Sequence, residues 1–242
     1  MINTFGLIAT IIILGILGII GFFAGQISRV CYDVLPCDEG VPEAPVFRIK
    51  NFQKRLSILF GVPMMILLPT LFWFLGLSIE FFLFAVLSIA LLAIIVIDYK
   101  HYIIPDKLNL FIIVLGIIYI SIFFLLSQPE LAFNHIMGGL LGGSIFLALA
   151  LISLLILRKE GMGFGDIKLM FGLGLLFGVK GILVLTLIAF AIGAVACIFF
   201  IITRIKKVTD YIPFGPYICI ASVILMFIPA GFFVDWYLKL LV

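Results

Sequence analysis

Apolar runs recur along the chain, separated by short polar or proline-containing breaks. A helix needs about 20 apolar residues to cross roughly 30 Å of hydrocarbon. By that measure residues 5–27, 57–77, 79–97, 108–127, 135–157, 167–178, 181–203 and 216–240 form eight candidate spans. The sixth is short, and Gly172, Gly174 and Gly178 within it point to close packing against a neighbour. It is expected to be tilted, partly re-entrant or continuous with the seventh. The pattern predicts an all-α polytopic membrane protein, a bundle of about eight transmembrane helices. Met1-Ile2-Asn3-Thr4 carries no basic residue and the run after it is too long for a signal-peptide core, so it is read as a retained first span. The longest break, residues 28–56, holds Pro36, Pro42 and Pro45 with Asp38, Glu39 and Glu43. It is too short and too proline-broken to be a domain. With no repeat at a fixed period, residues 1–242 are expected to form a single membrane-embedded domain.

The basic residues set the orientation. With the N-terminus outside, every one of the 15 Lys and Arg residues except Lys180 and Lys239 falls in a cytosolic loop, as the positive-inside rule requires. The loop at about 28–56 is then cytosolic. Composition agrees: 65% of the residues are hydrophobic and 11% charged, against about 25% charged in soluble domains, and the mean hydropathy is +1.43. Such a chain cannot dress a soluble surface, and it is neither disordered, nor a disulfide-rich module, nor a nucleic-acid binder. Cys197 and Cys219 lie inside apolar runs and read as small buried hydrophobes. Cys31 and Cys37 make one loose pair, too little for a zinc site. His101 and His135 are predicted on opposite sides of the membrane, so no histidine-built metal site is expected.

In a chain this apolar, an acidic residue near a span needs an explanation. Asp33, Asp38, Glu39 and Glu43 fall in the first cytosolic loop, Glu80 and Glu130 at outer turns, and Asp235 near the C-terminus; these read as solvated or interfacial charges. Two segments stand apart. Val96-Ile97-Asp98-Tyr99-Lys100-His101-Tyr102-Ile103-Ile104-Pro105-Asp106-Lys107-Leu108-Asn109 closes the third span, and Gly161-Met162-Gly163-Phe164-Gly165-Asp166-Ile167-Lys168 opens the sixth. The topology puts Asp98 and Asp166 at the same cytosolic edge. Two carboxylates within hydrogen-bond reach share a proton. The ionised one can take a proton from a bridging water while the other polarises a carbonyl, which is aspartic-protease chemistry and requires neither metal nor cofactor. Gly161, Gly163 and Gly165 permit positive φ and leave bare backbone beside Asp166, where an extended substrate strand could approach; a flexible loop is the alternative. Asp106, following Pro105, reads as the N-cap of the fourth span and as a possible support for the site.

These residues resemble the type IV prepilin peptidase family, part of the wider group of intramembrane GxGD aspartyl proteases. Asp98 with Ile104-Pro105-Asp106 is similar to the family's first motif, and Gly161 to Lys168 to its second. Ile212-Pro213-Phe214-Gly215-Pro216 resembles the family's Pro-Phe-Gly-Pro segment, and Gly21 to Pro36, with Gly25 and Arg29, a diverged form of its N-terminal stretch. The resemblance implies Asp98 and Asp166 as the catalytic pair, with Asp106, Gly163, Gly165 and Lys168 supporting. It also implies removal of the short basic leader of prepilins and pseudopilins at the cytosolic face of the cytoplasmic (inner) membrane, with no cofactor for proteolysis. Many members also methylate the new N-terminus with S-adenosylmethionine and carry two Cys-x-x-Cys pairs in the first cytosolic loop. This chain lacks those pairs, and Asn51-Phe52-Gln53-Lys54-Arg55-Leu56-Ser57 departs from the family's usual stretch, so methylation is left open. Two rival readings are weaker. A presenilin-like or signal-peptide-peptidase-like protease is disfavoured by the short chain and the Ile-Pro-Asp turn. A transporter using Asp98 and Asp166 as a proton relay should show paired inverted halves, and none is visible.

Overall fold

The computed structural model describes residues 4–38, 50–157, 162–204 and 212–241. Those residues form eight helices and no strand: α1 (Thr4–Asp38), α2 (Lys50–Leu75), α3 (Ile79–His101), α4 (Asp106–Leu125), α5 (Pro129–Leu157), α6 (Phe164–Ile202), α7 (Gly215–Phe227) and α8 (Ala230–Leu241). Six of them are long and apolar enough to cross a membrane, with α7 a shorter apolar helix. The protein is therefore an all-α polytopic membrane protein, as its hydropathy pattern predicts. Arg48, Glu39, Glu43, Arg158, Lys159, Gly161, Lys206 and Lys207, all used in the sequence reading, lie outside the described residues.

The helices do not end where the apolar runs end. The first run stops at residue 27, yet α1 continues to Asp38, and Arg29 and Asp33 pair one turn apart at 3.7 Å. The eighth run, 216–240, is two helices. Pro229 lacks an N–H and pushes the residue before it out of the helical region; Ile228 is extended, with φ −118° and ψ 104°. A new helix then starts, with the Phe232 N–H donating to Pro229 O at 3.0 Å.

The sixth and seventh runs form α6, whose 39 residues would reach about 58 Å if straight, nearly twice the hydrocarbon thickness. It is broken at Gly178, where φ is 69° and ψ −176°. A Cβ added at Gly142 would lie 2.6 Å from Met170 O and 2.8 Å from Ile182 Cγ1. Residues twelve positions apart in a straight helix would be separated by about 18 Å. Both meeting one glycine means that the chain folds back at the break.

The chain divides into two compact units, residues 1–93 and 94–242, with the boundary inside α3. In the first, Gly21 and Gly25 of α1 bring its backbone onto the carbonyls of Met64 and Phe60 of α2; a Cβ at either glycine would collide with that backbone. Polar side chains within the apolar helices find backbone partners, as lipid demands. Ser28 Oγ donates to Ile89 O at 2.8 Å, and Gln26 Nε2 to Ser57 O at 3.1 Å. Ile19, Phe23, Trp73 and Phe74 remain exposed, as lipid-facing side chains should.

In the second unit α4, α5 and α6 meet through small residues. Gly138 and Gly174 approach backbone to backbone, and Gly139 and Gly116 both receive Leu175. Without a hydrophobic driving force between helices in lipid, such close approach supplies the packing contacts. The fold-back at Gly178 is held from α5: His135 Nδ1 donates to Leu175 O at 3.0 Å, a carbonyl whose helical partner would lie just past the break. The His135 ring stacks on Phe123 at 5.2 Å and meets Tyr119 edge-on at 5.3 Å.

Candidate active site

Asp98 occupies the last turn of α3. Its carbonyl accepts from the Tyr102 N–H at 2.9 Å, and Tyr102, at φ 59°, stops the helix in the left-handed region. The chain then turns through Ile104 and Pro105 into α4. The Asp98 side chain is buried, with 4% of the residue exposed. Its Oδ2 accepts from the Gly215 N–H at 3.0 Å. That donor is available because Gly215 opens α7 behind Phe214, the N-cap, where backbone N–H groups have no helical acceptor. A Cβ there would stand 2.6 Å from Asp98 Oδ2 and 3.1 Å from Ile104 Cδ1, so only glycine leaves the carboxylate where it is.

Asp166 lies in the first turn of α6, behind Gly163 as N-cap, and its N–H donates to Gly163 O at 3.1 Å. It too is buried, with 5% exposed, and its Oδ1 has no hydrogen-bond partner among the described residues. The carboxylates of Asp98 and Asp166 lie close enough for their charges to interact. Cys219, one turn beyond Gly215 and fully buried, lies within the electrostatic reach of both. The end of α3, the start of α6 and the start of α7 thus converge. Two buried carboxylates so placed can serve one reacting group as acid and base together.

The remaining residues singled out in the sequence fall around this pair, in roles partly different from those expected. Asp106 is not an N-cap. Pro105, with φ −59° and ψ 132°, holds the cap position of α4, no side chain caps that end, and Asp106 sits in the first turn. There an anion is favoured by the helix dipole, and both its oxygens accept from Lys168 Nζ at 2.7 Å. Lys168 also stands over the Phe164 ring, 5.0 Å from its centroid. Gly163 and Gly165 do not use positive φ; among the described glycines only Gly76 and Gly178 do. Gly163 is extended at φ −71° and ψ 144°, and a Cβ there would rest 3.5 Å from Asp166 Oδ2. Gly165 is helical and small because Ile104 presses on it: its Cβ would be 3.0 Å from Ile104 Cβ. Among the described residues no group of three or more His, Cys, Asp or Glu side chains could hold a metal ion.

Two residues at this site were not given roles from the sequence. Gly215 stood in a recognised segment without a function; the Pro at the second helical position, Pro216, was the available signal that a helix and its free N–H groups begin there. Asn109, in the first turn of α4, donates from Nδ2 to Gly165 O at 3.3 Å. An amide three residues after Asp106, at the start of an apolar run, was its only signal.

Residues 85–198 match the model of the type IV leader peptidase family, a segment that includes both Asp98 and Asp166. Prepilin leader peptidase/N-methyltransferase of Xanthomonas campestris pv. campestris is 33% identical over 156 residues, 64% of this chain and 53% of that protein. The proteins of the same name from Stutzerimonas stutzeri and Pseudomonas aeruginosa are 32% and 31% identical, each over 62% of this chain and 50% of its own length. The chain thus spans about half the length of the curated relatives it matches. No solved structure matches it. Over the segment that carries both aspartates, the chain is similar to the type IV leader peptidase family.

Proposed function

We propose that this chain is an aspartic endopeptidase of the cytoplasmic (inner) membrane that removes the short basic leader of prepilins and pseudopilins. One observation carries the reading: Asp98 and Asp166 are both buried at ends of apolar helices and within reach of each other's charge, inside the family-matched segment. Hydrolysis follows from one ionised and one protonated carboxyl group. The ionised group takes a proton from a water as its oxygen bonds to the scissile carbonyl carbon, and the protonated group gives its proton to the carbonyl oxygen. Collapse of the tetrahedral diol breaks the C–N bond: one diol hydroxyl returns its proton to the second carboxyl, and the proton held by the first passes to the leaving amine. The Gly215 N–H fixes one oxygen of Asp98, which aims the other at the shared water.

The cytosolic face is supported by the distribution of Lys and Arg. Placing the N-terminus outside brings the ends of α3 and α6 that carry the aspartates to that side. A basic leader would be drawn to the two acids there. The matched relatives are named N-methyltransferases as well, and S-adenosylmethionine would be the methyl donor if this chain shares that step; the absent Cys-x-x-Cys pairs keep peptidase as the main proposal.

The test is cleavage in membranes. The chain is co-expressed with a pilin-like substrate, and wild type, Asp98→Asn and Asp166→Asn are compared by product mobility and by the mass of the new N-terminus. Cleavage by wild type and its loss by about 10²–10⁴-fold in both inserted, folded variants is the expected result. Variants that still cut would end the two-aspartate mechanism, and wild type that cuts no pilin-like substrate would end the substrate assignment. The mass of one added methyl group on the product would establish the second activity.

A further inference from the structure

The segment Ile104–Asn109 touches the Asp166 turn at three separate points. Ile104 presses on Gly165, Asp106 holds Lys168, and Asn109 Nδ2 donates to Gly165 O at 3.3 Å. The first is steric, and the second is a partly exposed ion pair, with the Asp106 side chain 61% exposed. The third is different in kind. Asn109 is 1% exposed, and its Oδ1 is buried without a partner among the described residues. Turning the amide over would set Oδ1 against the Gly165 carbonyl, oxygen against oxygen, so the observed orientation is the one the hydrogen bond selects.

A buried amide with one oxygen unsatisfied costs stability that a leucine of similar size would not. Such a group is retained where its other half is needed, and departures from the rule that buried polar groups are paired gather at functional sites. The other half of Asn109 holds the carbonyl of the residue immediately before Asp166. We infer that Asn109 is a positioning residue: it fixes the first turn of α6 against α4 and thereby sets where the Asp166 carboxylate stands relative to Asp98. It touches neither substrate nor the reacting atoms. The inference rests on the peptidase reading for its catalytic consequence, while the anchoring of the turn is a statement about structure alone.

Misplacing a catalytic group by about 1 Å can cost roughly 10²-fold in rate. In the full-length protein in nanodiscs, Asn109→Leu is expected to lower kcat about 10- to 100-fold on a pilin-like substrate, with KM nearly unchanged. Asn109→Gln, which keeps the donor, is expected to recover part of that loss. Hydrogen–deuterium exchange in the peptide covering residues 162–169 should rise in Asn109→Leu and not in α4 or the remainder of α6. Wild-type kcat in Asn109→Leu, a rise in KM that accounts for the whole loss, no recovery in Asn109→Gln, or unchanged exchange at 162–169 would each overturn the positioning role. If wild type itself cuts no pilin-like substrate, the peptidase reading falls, and the exchange measurement alone then decides whether Asn109 anchors the turn.

Discussion

The first segment of α6, from Phe164 to the break at Gly178, has two ends built in opposite ways. At the break the backbone takes a conformation open to glycine but not to other residues, with φ 69° at Gly178, and the polar groups are served: His135 donates to Leu175 O within a cluster of stacked rings. At the start the backbone is relaxed, with Gly163 in an ordinary extended conformation, yet Asp166 Oδ1 and Asn109 Oδ1 are buried and have no partner among the described residues. One end spends a glycine to complete a fold; the other leaves acceptors open where chemistry is proposed. Substitutions at the break should therefore act on stability and leave the folded enzyme's rate alone, while those at the start should do the reverse.

The sharpest test of the second half of that statement is Gly215→Ala, which acts through Asp98 at the same site. The added Cβ would meet Asp98 Oδ2 at 2.6 Å, so either the carboxylate turns away or the Gly215 N–H withdraws from it. Activity should fall by about 10²-fold, with little change in the thermal unfolding midpoint. A variant that unfolds early and keeps its rate per folded molecule would place Gly215 on the structural side.

At the break the expectation inverts. Gly178→Ala forces a side chain into the left-handed region and sets its Cβ 2.6 Å from Asn134 Nδ2. Backbone strain of this kind costs about 1–3 kcal/mol, and the contact adds to it. Denaturation in detergent should show a loss toward the top of that range, with kcat of the surviving folded fraction unchanged. His135→Leu should be smaller: it leaves Leu175 O without its donor, a cost of about 1–3 kcal/mol, offset in part by the new apolar contacts with Phe123 and Tyr119. If His135→Leu abolished cleavage while remaining folded, the two ends would be coupled and the contrast between them would be wrong.

The two ends were not equally legible in the sequence. Asp98 and Asp166 could be found because hydrocarbon makes any acid conspicuous, and the motifs around them have a fixed order. The glycines of the sixth run announced close packing, which Gly138 and Gly174 confirm, but a fold-back needs one specific φ that composition does not encode. Helices run past the apolar spans because hydropathy marks where lipid ends, not where backbone hydrogen bonding does, as α1 running to Asp38 illustrates. Gly215 escaped because its contribution is a backbone N–H, which every residue but proline possesses. Asp106 was misassigned for a different reason. Its partner, Lys168, is 62 residues away, and a long-range ion pair leaves no mark on local spacing, whereas a carboxylate just after a proline looks like a cap.

That pair makes the mildest prediction, and it separates surface electrostatics from the buried contacts beside it. Lys168 and Asp106 join the first turns of α6 and α4 on the same side as Asn109, but their side chains are 34% and 61% exposed. Exposed ion pairs contribute about 0–1 kcal/mol, because water screens the attraction and two long side chains must be held still. Asp106→Asn should accordingly lower stability by less than about 1 kcal/mol, and even if all of that appeared in the activation barrier the cleavage rate would change by no more than a factor of about five. The wild-type enzyme at high salt should drift the same way, since screening weakens an exposed pair more than a buried hydrogen bond. A loss in Asp106→Asn as deep as that of Asp166→Asn, insensitive to salt, would mean that the carboxylate reaches the reaction itself, and the division between an exposed strap and a buried anchor would have to be redrawn.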